Sequence, residues 1–196
     1  MTLEHAAIIL AGGRGARLGG VAKPLVEVGG RTMLQAALSA AAGAQEVVVV
    51  GDVPVPPGVL QTVEDPPRSG PAAGLAAGVR ALTVEAPWVL VLASDLPGVE
   101  RAVPTLLEAA AGVSSDAVCF HDEQNHPQWM LAVYRTPALR AAIESQETTD
   151  LPLRRLVAPL TMTTIPGDSA AITDCDTWED IEAARAADQK EKHDRP

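Results

Sequence analysis

Ala6-Ala-Ile-Ile-Leu-Ala11, followed at once by Gly12-Gly13-Arg14-Gly15-Ala16-Arg17-Leu18-Gly19-Gly20-Val21-Ala22-Lys23, is the stretch on which the fold turns. Six apolar residues without alternation, stopped by glycines, predict a strand buried on both faces, as in the middle of a parallel sheet. Trp88-Val-Leu-Val-Leu-Ala93 repeats the pattern and runs straight into Ser94-Asp95-Leu96-Pro97. Glu46-Val-Val-Val-Val50 predicts another strand from its β-branched run, and Leu60 to Val63 a weaker one. Between them, helical spacing predicts helices over Thr32 to Ala42 and Ala72 to Leu82. Strand and helix thus alternate through the first half, which predicts βαβ units in a mainly parallel sheet with helices on both faces.

The second half is read less sharply. Helices are expected over Val103 to Ala111, Pro137 to Ser145 and Trp178 to Ala187, with a short one at Leu153 to Val157. Strands are expected at Ala117 to Phe120, Trp129 to Tyr134 and Thr161 to Ile165, with a polar loop over His121 to Gln128. Nothing suggests a repeat or a linker. One domain over residues 1–188 and a charged, frayed tail over residues 189–196 are expected.

Composition narrows the partners. The chain has 196 residues, of which 47% are hydrophobic, enough for one well-buried core. Its net charge of −10 argues against a nucleic-acid partner, which needs clustered Lys and Arg. A small anion held by a few local cations and backbone amides remains compatible. Cys119 and Cys175 are far apart and show no metal or redox spacing. The opening residues are not basic and their apolar run is short, so a cytoplasmic location is expected, without a membrane span.

Ligands of open α/β sheets collect outside the carboxyl ends of the strands. Two loops stand out there. Gly12 to Lys23 is rich in glycine, which permits close approach of the backbone to a phosphate, and carries Arg14, Arg17 and Lys23. It matches neither the dinucleotide fingerprint nor the P-loop, and its plainer reading is a surface loop with solvated cations. Asp95 ends an apolar strand opposite this loop. It suits either a turn cap or a ligand for Mg2+, which favours carboxylates and substrate phosphates. Asp174 and Asp176 are two apart in Thr173-Asp-Cys-Asp-Thr-Trp-Glu-Asp180, so in an extended segment they share a face. One of them is a candidate second metal ligand. The competing reading is a helix cap, with Asp176 or Thr177 opening the last helix and Glu179 completing an approximate capping box. His126 reads as structural and Cys119 as core. Trp88 and Trp129 read as packing residues, with Trp129 also a candidate for lining a pocket.

At Leu10-Ala-Gly-Gly-Arg-Gly-Ala-Arg-Leu-Gly-Gly-Val-Ala-Lys23 the chain resembles the nucleotidyltransferases related to molybdenum cofactor guanylyltransferase, whose opening motif is LAGGxSxRMGxxK. Leu10, Ala11, Gly12, Gly13, Arg17 and Gly19 match it and Lys23 stands for its Lys one residue further along, with Leu18 for Met and Gly15 for Ser. Glu64-Asp65 followed by Gly70-Pro-Ala-Ala-Gly-Leu75 is similar to the family's ED…GPLAGL, and Ser94-Asp-Leu-Pro97 to its CDMP. Thr173 to Ile181 resembles its NxNTPEDL.

The resemblance implies a Rossmann-like three-layer α/β/α nucleotidyltransferase fold that binds an NTP with Mg2+. In the guanylyl branch, GTP and molybdopterin give molybdopterin guanine dinucleotide and pyrophosphate. It further implies transient contact with molybdoenzymes or cofactor-insertion proteins. On this likeness Leu10, Ala11, Gly12, Gly13 and Lys23 cradle the nucleotide, with Asp65 and Gly70 contributing to its recognition. Asp95 carries Mg2+, with Asp174 and Asp176 as further candidates, and Arg17 and Lys23 act on the leaving pyrophosphate. Two segments depart from the guanylyl pattern. Val50-Gly51-Asp52 lacks the Asn often found there, and Asp174 and Asp176 replace two Asn, as in the cytidylyl branch. The LAGG opening points back to GTP. A cytidylyltransferase, a transferase for another phosphorylated acceptor and a non-catalytic nucleotide- or cofactor-binding protein are the alternatives.

Overall fold

The computed structural model describes residues 3–12 and 20–193. Its centre is the predicted apolar strand, β1 (His5–Leu10), which pairs in parallel with both β4 (Val47–Val50) and β6 (Trp88–Ala93). With β5 (Leu60–Thr62), β7 (Ala117–His121), β8 (Pro127–Arg135) and β9 (Met162–Pro166), these form a seven-stranded sheet in the order β5-β4-β1-β6-β8-β7-β9. Within it only β8 runs antiparallel to its neighbours.

Because successive side chains of a strand face opposite ways, each central strand feeds two cores. Ala7, Ile9, Leu90 and Leu92 pack on one face under α1 (Met33–Ala40) and α3 (Val99–Ala111). Ile8, Leu10, Val89 and Val91 pack on the other under α2 (Pro71–Ala81), α4 (Thr136–Glu144) and α5 (Leu153–Leu156). The result is the expected three layers. Close helix packing on the second face depends on Gly78, where a Cβ would lie 2.6 Å from Ile8 Cγ2.

Four details differ from the sequence expectations. The segment 121–128 is no open loop: both strands extend into it, leaving a tight turn over 122–126. That turn is held by Asp122, whose Oδ1 accepts from the backbone N–H groups of Gln124 and His126 at 2.9 and 2.8 Å. The third helix starts at Val99 rather than Val103, so Pro104 lies inside it instead of opening it. A small hairpin, β2 (Glu27–Val28) and β3 (Arg31–Thr32), turns through Gly29 and Gly30. Their φ values of 67° and 86° fit the tight turn that matches strand twist. Finally, after the short α6 (Ser169–Ile172), α7 (Trp178–His193) extends into the segment expected to fray. No helix among the described residues is long and apolar enough to cross a membrane.

Candidate active site

The central strands β1 and β6 run in register from His5 beside Trp88 to Leu10 beside Ala93, so their carboxyl ends deliver two loops side by side. Ser94 N donates to Leu10 O at 3.1 Å and Ala11 N to Val50 O at 2.8 Å, which fixes the exits of both strands. Gly51 follows β4 with φ 150°, and a Cβ there would fall 2.8 Å from the carbonyl carbon and oxygen of Ala11. Only glycine lets the β4 loop lie this close to Ala11-Gly12. Gln61 secures it, its side-chain amide donating to the carbonyls of Gly51 and Val53 at 2.8 and 2.6 Å.

Asp95 projects from this edge. Lys23, on the 3-10 turn Lys23–Leu25, donates from Nζ to Asp95 Oδ2 at 2.7 Å and to Asp176 Oδ1 at 2.6 Å. Asp176 arrives from the loop before α7, which is pinned to the strand end by Cys175 N donating to Asp95 O at 3.1 Å. Asp174 completes the group: the carboxylates of Asp95, Asp174 and Asp176 offer oxygens all within 4.8 Å of one another. The structure therefore unites Lys23, Asp95, Asp174 and Asp176 over more than 150 residues of chain.

The charges respond to this crowding. Burial, then the nearby charges of Asp95 and Asp176, push the Asp174 carboxyl above its ordinary value, with Lys23 opposing. Burial alone would lower the Lys23 pKa, but its hydrogen bonds to Asp176 and Asp95 and their charges outweigh that and raise it. Lys23 hydrogen-bonds two of the three carboxylates.

Asp95 Oδ1 is buried and has no hydrogen-bond partner among the described residues. An unpaired buried carboxylate oxygen beside two further carboxylates is a donor set of the kind that a hard divalent cation takes. Asp95, Asp174 and Asp176 fit Mg2+ on that ground.

Capping, the competing role for the last loop, falls to another residue. Thr177 Oγ1 accepts from Asp180 N at 3.2 Å, and Asp180 Oδ2 accepts from Thr177 N at 2.7 Å. The reciprocal pair is a capping box with Asp in the place of Glu or Gln. The Asp176–Glu179 box is thus not the one formed, and the Asp176 carboxylate is turned to Lys23 instead. Cys175, between the two aspartates, is buried, and burial pushes its thiol up to about 11.

A cleft of about 550 Å3 opens beside Asp95 and Asp174. One wall is Arg68, Gly70 and Pro71 at the start of α2, and Trp129 and Met130 of β8 form another side. Leu151 and Arg154 face it from the segment around α5. That segment is tied to the α2 loop by Asp150 N donating to Ser69 O at 2.7 Å. Trp129, weighed as a pocket residue, lines the cleft. Met130, Arg68 and Arg154 were not singled out from the sequence. An exposed Met on a strand shows itself only once the sheet's neighbours are known, and two ordinary arginines carry no motif.

The remaining expected residues divide. Leu10, Ala11 and Gly12 lie at the β1 exit and Gly70 at the cleft. Asp65 is exposed in the loop after β5, and among the described residues no hydrogen bond or ion pair links it to the carboxylate group. Gly13 and Arg17 lie outside the described residues. His126 is the turn residue expected, its ring Nδ1 3.3 Å from Asp122 Oδ2. Cys119 is fully buried.

Comparison with known proteins accords with this arrangement. Residues 7–163 match the profile of the MobA-like NTP transferase domain. The chain belongs to this family. It is a MobA-like nucleotidyltransferase, and its mainly parallel sheet with flanking helices is the family's fold. A probable molybdenum cofactor guanylyltransferase of Natronomonas pharaonis is 28% identical over 203 residues, covering 93% of this chain and 97% of that protein. Among solved structures, the molybdopterin-guanine dinucleotide biosynthesis protein A of Archaeoglobus fulgidus superposes with a TM-score of 0.71 at 19% identity, covering 94% of this chain and 99% of the other. The 2-C-methyl-D-erythritol 4-phosphate cytidylyltransferase of Thermus thermophilus superposes with a TM-score of 0.70 at 24% identity, covering 95% and 100%. The fold is thus shared with enzymes named for different bases and different acceptors.

Proposed function

We propose that this MobA-like transferase moves GMP from GTP to molybdopterin, giving molybdopterin guanine dinucleotide and pyrophosphate, with Mg2+ as its cofactor. The observation that carries the reading is the meeting of Lys23, Asp95, Asp174 and Asp176 at the carboxyl ends of β1 and β6, beside a cleft large enough for an acceptor. The name of the Natronomonas pharaonis relative supports GTP and molybdopterin, as does the LAGG opening.

In this reading a phosphate oxygen of the acceptor attacks the α-phosphorus of GTP in line. The bond from that phosphorus to the bridging oxygen breaks, and pyrophosphate leaves with the electron pair. The attacking phosphate is already ionised at neutral pH, so no general base is required. The work left to the protein is positioning and neutralising charge. Leu10 to Gly13 and Gly70 approach the nucleotide with backbone, and Asp65 contributes to its recognition. Arg17 and Lys23 neutralise the phosphates that leave as pyrophosphate, Lys23 already in the bound nucleotide and equally in the transition state. The cleft between Gly70, Trp129 and Arg154 receives the acceptor. Asp95, with Asp174 and Asp176, would hold Mg2+, which supplies charge neutralisation and polarisation of the phosphates when bound.

A second reading, CTP in place of GTP, rests on Asp174 and Asp176 standing where the guanylyl pattern has Asn. Thermal unfolding with each of the four NTPs and Mg2+ separates them, since a ligand bound by the native state alone raises the midpoint. GTP is expected to give the largest rise. A larger rise with CTP would replace the guanylyl reading by the cytidylyl one.

A further inference from the structure

The carboxylates that would hold the cation come from two separately packed parts of the molecule. Asp95 stands on the turn that follows β6, at the edge of the main sheet. Asp174 and Asp176 stand on the loop before α7, which rests on a third apolar cluster apart from the two that flank the sheet. That cluster comprises Val26, Val28, Met33, Cys175 and Ile181, with Ala184 packed against it. It joins the 23–33 segment, which bears Lys23, to α7. Arg185 strengthens the joint by donating from Nε and Nη2 to Glu27 O at 3.0 and 2.9 Å.

Cys175 is the one residue of the aspartate loop that enters this cluster, and it is 2% exposed. Side chains of an extended segment alternate, so the buried Cys175 sets its two neighbours on the opposite side, towards Asp95. Its backbone N–H meanwhile holds Asp95 O at 3.1 Å. Both the facing and the height of the two aspartates follow from where this sulfur sits.

We propose that Cys175 is a positioning residue for the divalent cation: seated in the Val26–Met33–Ile181 cluster, it holds Asp174 and Asp176 against Asp95. The inference rests on the reading that these three carboxylates take the cation. Groups that orient metal ligands without touching the metal typically contribute about tenfold to a hundredfold in affinity. Moving this anchor should therefore loosen the site without removing any ligand.

The test is Mn2+ titration of the full chain, read from the free Mn2+ paramagnetic signal, alongside thermal unfolding of each variant. Cys119→Ala is the control, because Cys119 is an equally buried thiol in the sheet, 3.2 Å from Met162 Sδ and unconnected with the aspartate loop. Both Cys175→Ala and Cys119→Ala should lower the unfolding midpoint. Only Cys175→Ala should weaken Mn2+ binding, by about tenfold or more. Ile181→Val trims the same cluster more gently from α7 and should weaken Mn2+ in the same direction. Equal Mn2+ affinity in the wild type, Cys175→Ala and Ile181→Val would overturn the proposal and leave Cys175 a filler of the core. Wild-type protein that takes up no Mn2+, or whose uptake survives Asp95→Asn, would overturn the carboxylate reading itself and the proposal with it. That failure shows before any cysteine is changed.

Discussion

Lys23 holds two carboxylates that are also the ones best placed to hold a cation. Without ligand, its ammonium compensates the repulsion among Asp95, Asp174 and Asp176, which explains why its pKa is raised in spite of burial. On the proposed function, the same charge also serves the phosphates of the bound nucleotide. Lys23→Ala therefore removes a contact to phosphate made in the ground and transition states alike. The expected result is a KM for the nucleotide raised about tenfold or more, with kcat changed much less. Steady-state kinetics with varied NTP reads this directly, and a fall in kcat at unchanged KM would assign Lys23 to the transition state alone.

The closing helix shows how a local sequence choice sets the site. Thr177 and Asp180 satisfy each other's backbone N–H groups, which frees Asp176 from capping and points its carboxylate at Lys23. Hydrogen bonds from Thr177 hold the Asp180 carboxyl below its ordinary value of 3.8. A carboxylate with a lowered folded pKa contributes stability that is present above its ordinary value and lost as pH falls through the lowered one. Thr177→Ala should cost about 1 kcal/mol near neutral pH, as loss of a cap does. In urea unfolding, the gap between wild type and variant should narrow as the pH is taken below 3.8 and Asp180 protonates. The two candidates for this cap, Asp176 and Thr177, were not separable from the sequence because both precede the helix with an acidic residue three positions on. The hydrogen bonds of the folded chain decide between them, Thr177 pairing reciprocally with Asp180 and Asp176 with Lys23. The Gly29-Gly30 hairpin was legible in principle, but its two-residue strands are too short to show any alternation.

The sheet itself was legible because its central strands are buried on both faces and so read as unbroken apolar runs. The reversal of β8 was not, since a hairpin tightened by Asp122 looks like any polar loop until its hydrogen bonds are seen. The candidate site divides in the same way. Asp95 and the aspartate pair were visible as carboxylates at strand and helix ends. The cleft beside Asp95 was not, because it draws on five segments whose residues carry no shared spacing. The proposed function makes Asp95 the central carboxylate of a cation-dependent transfer of GMP. The most direct test is pyrophosphate release by wild type and Asp95→Asn, with GTP, Mg2+ and molybdopterin. Asp95→Asn keeps the size of the side chain but loses its charge, so folding should survive while turnover falls by about two orders of magnitude or more. Near-normal turnover per folded molecule in Asp95→Asn would contradict the account and leave Asp95 a turn residue.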